Sequence, residues 1–128
     1  MTRAIIFGIG ANGAAAVALG AFGAHGLKAK LLHSGMLSTW DTAAHYHLTH
    51  AVACLALIAW AATCPSRAIK LRWATLSWLI GCLLFAGSLY WLALGGPRLL
   101  GPITPIGGLC FLVGWILVAA EALRKEKP

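Results

Sequence analysis

The sequence has little charge, and negative charge above all. Of its 128 residues 10% are charged, with three Asp and Glu against ten Lys and Arg, giving a net charge of +7. A soluble domain carries about 25% charged residues, because a small domain leaves much of its chain against water. So sparse a set cannot clothe such a surface. The 60% of hydrophobic residues is equally at odds with disorder, which requires low hydrophobicity. The basic excess does not make a nucleic-acid binder, since the apolar runs are too long and the basic residues form no single stripe. Other absences narrow the chemistry. The four cysteines, Cys54, Cys64, Cys82 and Cys110, include no C-x-x-C pair, so they read as buried free thiols rather than a disulfide framework or zinc knuckle. There is no H-E-x-x-H or Glu-x-x-His motif, and no carboxylate within an apolar run apart from Glu121 at a boundary. No catalytic residue is assigned, and no cofactor is expected.

What is present is an integral membrane protein. A bilayer core of about 30 Å needs roughly 20 apolar residues per helix, and four stretches qualify: residues 4–24, 43–64, 73–94 and 105–120. They use most of the chain, with no clear internal repeat. The expected fold is all-α: four transmembrane helices in a compact bundle, forming one domain over residues 1–128. Pro65-Ser66 and Gly95-Gly96-Pro97 close the second and third helices, Gly being the easy left-handed cap and Pro unable to continue. Thr104-Pro105 reads as an N-cap with Pro at the first helical position. Ser38-Thr39-Trp40-Asp41 reads as a capping box. Between the first two spans, Ala29, Leu32, Met36 and Trp40 recur at helical steps among polar residues. A short interfacial amphipathic helix over residues 27–40 is expected, with a plain loop as the alternative because Gly35 weakens it. The first stretch resembles a signal peptide in having Arg3 and small residues, but its apolar run is longer than a usual h-region and a retained helix is expected.

Basic residues set the expected orientation. Four spans put Arg3, Arg67, Lys70, Arg72, Arg124, Lys125 and Lys127 on one side, and Lys28, Lys30 and Arg98 on the other. The richer side is the cytoplasmic one, so both termini are expected there. Trp40 and Trp91 fall near the outer boundary and Trp60 and Trp73 near the inner one, as an aromatic belt would, whereas Trp78 and Trp115 lie deeper and read as packing residues.

Helices in lipid associate through close packing of small residues. Gly13, Ala16, Gly20 and Gly23 form one stripe on the first helix. Packing within the bundle is the favoured reading, and an oligomer interface is the alternative. Ser77 with Gly81, and Gly107 with Gly114, are small pairs on the third and fourth helices. Asn12 reads as structural glue, because an amide in hydrocarbon seeks a partner.

All five histidines, His25, His33, His45, His47 and His50, fall on or near the outer side. His47 and His50 share a helix face, and Asp41 precedes His45 by about a turn and can pair with it. Counting back from Cys64, residues 51–64 rise about 21 Å at roughly 1.5 Å each, which leaves His50 and His47 within the membrane. Ionisable residues at such depth are functional candidates. His25, His47 and His50 are therefore the candidate metal set, imidazole suiting transition metals. The competing reading has each imidazole hydrogen-bonded to a carbonyl, a hydroxyl or interfacial water.

Several strings match a known pattern: Gly20-Ala21-Phe22-Gly23-Ala24-His25-Gly26-Leu27; Trp40-Asp41-Thr42-Ala43 running into Tyr46-His47 and His50-Ala51; Phe85-Ala86-Gly87-Ser88-Leu89-Tyr90; and Gly101-Pro102-Ile103-Thr104-Pro105-Ile106-Gly107-Gly108, with Gly114-Trp115. In these the chain resembles the small membrane-protein family called domain of unknown function 423, which includes transmembrane protein 256. The resemblance spans nearly the whole chain. It implies a four-helix integral membrane protein, in bacteria of the inner membrane, and no established activity or cofactor. Together the motifs suggest one outer polar cluster of His25, Asp41, His47, His50, Ser88, Tyr90 and Thr104. Three functions compete in this order: a structural or accessory membrane protein; a binder of metal, quinone or lipid at the outer cluster; a channel or transporter. The expected partners are the lipid bilayer and a second copy or larger membrane complex.

Overall fold

The computed structural model describes residues 2–124; Lys125 and Lys127, counted above with the inner basic residues, lie outside them. Among the described residues the regular structure is helical. α1 spans Arg3–Ala24, α2 Lys28–His33, α3 Leu37–Thr63, α4 Ala68–Gly81, α5 Gly87–Ala93 and α6 Ile103–Ala122. α4 and α5 are joined without a break by a π-helical segment, Cys82–Ala86, so the third crossing is one continuous rod. Four helical stretches are long and apolar enough to cross a membrane: Arg3–Ala24, Leu37–Thr63, Pro65–Ala93 and Arg98–Ala122. Each contains, or nearly contains, one of the four stretches expected from composition.

The connections depart from expectation in informative ways. Residues 27–40 do not form one interfacial helix. Gly35 takes a left-handed conformation with φ of 69°, and the Met36 amide donates to the Leu31 carbonyl at 2.9 Å, closing α2 as a glycine-capped end. The next helix begins at Leu37 and carries Trp40 away. The buried residues here are Leu31 and Trp40, while Leu32 and Met36 are exposed. The capping box does not form either: Met36 occupies the N-cap of α3 without a side-chain bond, and the Thr42 hydroxyl donates to Ser38 O at 2.8 Å. Thr104 is no N-cap, because α6 starts one residue earlier and Thr104 lies in its first turn. Gly95, with φ of 93°, ends α5 as expected.

Packing is dense where the third and fourth crossings meet, α4 against α6, and α3 lies between that pair and α1. One buried cluster gathers Ile5, Ile9, Cys54, Leu57, Leu71, Trp78 and Phe111, and a second gathers Leu31, Trp40, Ala43, Ala86, Tyr90 and Ala93. Tryptophans lie directly on glycines. The Trp78 indole donates to Phe111 O at 3.2 Å and lies where a Gly114 side chain would stand. The Trp40 indole does the same on α1, donating to Leu19 O at 3.0 Å over Gly23. Trp40 is therefore 1% exposed and belongs to the core rather than to an outer aromatic belt. Ser77 adds a further tie from α4 to α6, donating to Cys110 O at 2.7 Å.

Candidate functional site

Five of the seven polar residues singled out from the sequence fall into three separate groups. The first is a network across three crossings. His47 of α3 lies 3.0 Å through Nε2 from Asn12 Oδ1 of α1. The amide oxygen only accepts, so Nε2 carries the proton, and Nδ1 is left to accept from the Tyr90 hydroxyl of α5 at 3.4 Å. The Asn12 amide nitrogen reaches the Cys82 thiol at 3.7 Å. A neutral imidazole, an amide and a phenol thus satisfy one another where lipid offers no hydrogen bonds. The expectation that Asn12 serves as glue meets its partner here, one that the sequence did not identify.

His50 faces a different way, three residues further along α3. Its Nδ1–H donates to the Tyr46 carbonyl at 2.8 Å, leaving Nε2 to accept from the Trp115 indole at 3.3 Å. Its ring stacks on Phe111, with centroids 3.7 Å apart and planes inclined by 14°. The third group is a hydroxyl pair. Ser88 donates to Phe85 O at 3.0 Å, and Thr104, 2.7 Å away, supplies the proton between the two hydroxyls. This ties α5 to the entry of α6. Ser88 and Phe85 lie at the π segment, where the ordinary bonding pattern is interrupted.

His25 and Asp41 join none of these groups. His25 caps α1 through its backbone N–H on Ala21 O, and its side chain is exposed, as are those of Asp41 and His45. Among the described residues no ion pair joins Asp41 to His45. Nor does any group of three or more His, Cys, Asp or Glu there have the placement to hold a metal ion. His25, His47 and His50 thus do not converge. In His47 and His50 both ring nitrogens are committed, so a metal ion would have to displace the Tyr90 hydroxyl or the Trp115 indole.

The small-residue stripe of α1 is divided. Ala16 is buried and Gly23 receives Trp40, but a side-chain carbon at Gly13 or Gly20 would meet nothing within 4 Å. The sequence reading also understated Glu121. Its side chain is fully buried at the C-terminal end of α6, 3.1 Å from the Lys70 ammonium and 3.6 Å from the Arg124 guanidinium. Arg67 donates to its backbone carbonyl, and Arg124 to Ser66 O at 3.2 Å. The three-residue spacing of Glu121 and Arg124 was visible in the sequence; the approach of Lys70 from another helix was not.

Comparison with known proteins agrees with this architecture. The family described as Protein of unknown function (DUF423) matches residues 19–108. A UPF0382 membrane protein of Haemophilus influenzae is 45% identical over 86% of this chain and 86% of its own length. One of Staphylococcus epidermidis is 42% identical, over 88% of this chain and 89% of its own. The UPF0382 inner membrane protein YgdD of Escherichia coli is 39% identical over 87% of this chain and 82% of its own. No solved structure matches the chain.

Proposed function

The chain belongs to the DUF423 family, and from that premise we propose that it is a structural or accessory protein of the bacterial inner membrane, one four-helix domain with both termini on the cytoplasmic side. The observation that carries this reading is the mutual satisfaction of its intramembrane polar groups. Asn12, His47 and Tyr90 bond one another, and His50 bonds Trp115 and a carbonyl. Groups so engaged hold helices together in lipid, where cross-helix hydrogen bonds contribute about 0.6–2 kcal/mol each. An Escherichia coli relative named as an inner membrane protein supports the location. Arg3, Arg67, Lys70, Arg72 and Arg124 at one end, against Lys28, Lys30 and Arg98 at the other, support the orientation. The surface offered to a second copy or a larger complex is the open glycine face of α1, which Gly10, Gly13 and Gly20 leave bare.

Elemental and absorption analysis of the purified protein tests this reading against metal or haem binding. The expected sample carries no stoichiometric metal and no Soret band. Stoichiometric metal, lost in His47→Ala and His50→Ala, would replace the structural reading with a binding one.

A further inference from the structure

Two of the clefts on the outside of the bundle differ in kind. The one between α1 and α3, about 420 Å³, is walled by aliphatic side chains and by glycines such as Gly10 and Gly13. The other, about 510 Å³, lies between α3, the π segment and α6, and its wall is aromatic, with Tyr46, His50, Phe85, Phe111 and Trp115. Small-molecule sites run about 300–1,000 Å³ and combine apolar walls with a few polar groups.

Three of these rings form a slab. His50 and Phe111 are inclined by 14°, Tyr46 and His50 by 11°, and Tyr46 and Phe111 by 25°. His50 and Phe111 are buried against one another and His50 is held at both nitrogens, which makes this side of the wall rigid, while Tyr46 and Trp115 are its exposed rings. Phe85 approaches the Tyr46 ring to 4.7 Å between centroids from the π segment, a kind of irregularity frequent at functional sites. Gly108 keeps the entrance open, since a side-chain carbon there would touch only Phe85, at 3.9 Å. Exposed aromatic faces on such a rigid wall favour an offset-stacked flat ring over a flexible chain. With both His50 nitrogens engaged, the remaining side-chain donor of the wall is the Tyr46 hydroxyl, which has no hydrogen-bond partner among the described residues.

We propose that the aromatic cleft binds a membrane-soluble planar ring bearing carbonyl oxygens, of the isoprenoid quinone class. The ring packs against the exposed Trp115 face of the lining, the Tyr46 hydroxyl donates to a ring carbonyl, and the tail continues into the surrounding lipid. This goes beyond the structural reading and is independent of it: an empty cleft leaves the cross-helix polar network untouched, and a failed network would appear in unfolding rather than in ligand binding.

The test titrates a short-chain ubiquinone into the full chain in quinone-free phospholipid nanodiscs and follows tryptophan fluorescence, with Trp115 on the cleft wall as reporter. The expected result is saturable quenching at one quinone per chain, weakened at least tenfold in Gly108→Leu and several-fold in Tyr46→Phe. Thermal unfolding checks that each variant is folded. If Gly108→Leu fails that check, Tyr46→Phe, which keeps the ring and removes only the hydroxyl, decides the matter. Quenching that rises linearly without saturation, or saturable quenching unchanged in the folded variants, would overturn the proposal.

Discussion

α1 and α6 are both rich in glycine, yet they use it differently. On α6 Gly107 and Gly114 are filled, and Gly108 alone is left open. A methyl at Gly107 would run into the Phe85 backbone, and one at Gly114 into the Trp78 indole. Gly81, on the facing helix α4, is likewise occupied by the Phe111 ring. On α1 only Gly23 is used in this way, under Trp40; Gly10, Gly13 and Gly20 face open space. The lesson is that a small-residue stripe alone does not say which neighbour it serves. A bulky ring on the facing helix does: Phe111, Trp78 and Trp40 each lie over a glycine, and the two indoles also bond a carbonyl on that glycine's helix, Phe111 O for Trp78 and Leu19 O for Trp40. Packing of this kind replaces the hydrophobic drive that lipid removes.

Substitutions can break that contrast. Gly107→Ala has the largest expected effect, because the obstacle is main chain at the π segment and cannot swing aside. Overpacking of this kind costs about 1–3 kcal/mol, occasionally more, measured by reversible unfolding in mixed detergent micelles. Gly114→Ala follows. The Trp78 side chain can move, but it then gives up its bond to Phe111 O, typically worth about 0.5–1.5 kcal/mol, and its fluorescence shifts as the indole leaves its buried position. Gly13→Ala comes last, with a stability change within about 0.5 kcal/mol in the monomer. A large loss there, or an altered oligomeric state in Gly13→Leu, would show that another chain covers the α1 face and that the contrast with α6 is one of partner rather than of use.

The four crossings were legible from the length of the apolar runs, and Gly95 as a terminator from the turn chemistry that follows α5. Trp78 is a packing residue as expected, 1% exposed, whereas Trp115 lies against it with ring centroids 4.6 Å apart but is itself 48% exposed. Trp40 was misjudged, because position near a span end resembles a belt until Gly23 is seen beneath it. The segment 27–40 showed helical spacing, but spacing does not register that Gly35 can reverse the chain between Leu32 and Met36. The candidate cluster was half legible. Depth singled out His47 and His50, which are buried in the bundle, and Ser88 with Thr104 emerged from neighbouring motifs. The division of these residues among separate networks depends on how α1, α3 and α6 rotate about their axes, which a sequence without cross-helix constraints does not encode in any local pattern. The π segment was invisible for the same reason; the Phe85 backbone within it lies where a Gly107 side chain would stand.

The central claim is that the intramembrane histidines hold helices together. A double-mutant cycle between Asn12 and His47 tests it most directly, with Asn12→Leu, His47→Leu and the double variant unfolded in the same lipid-like medium. The two side chains are 3.0 Å apart across α1 and α3. Coupling of about 0.6–1.7 kcal/mol, in the range measured for cross-helix bonds in lipid, is the expected result. Additive losses, with no coupling beyond experimental error, would contradict it.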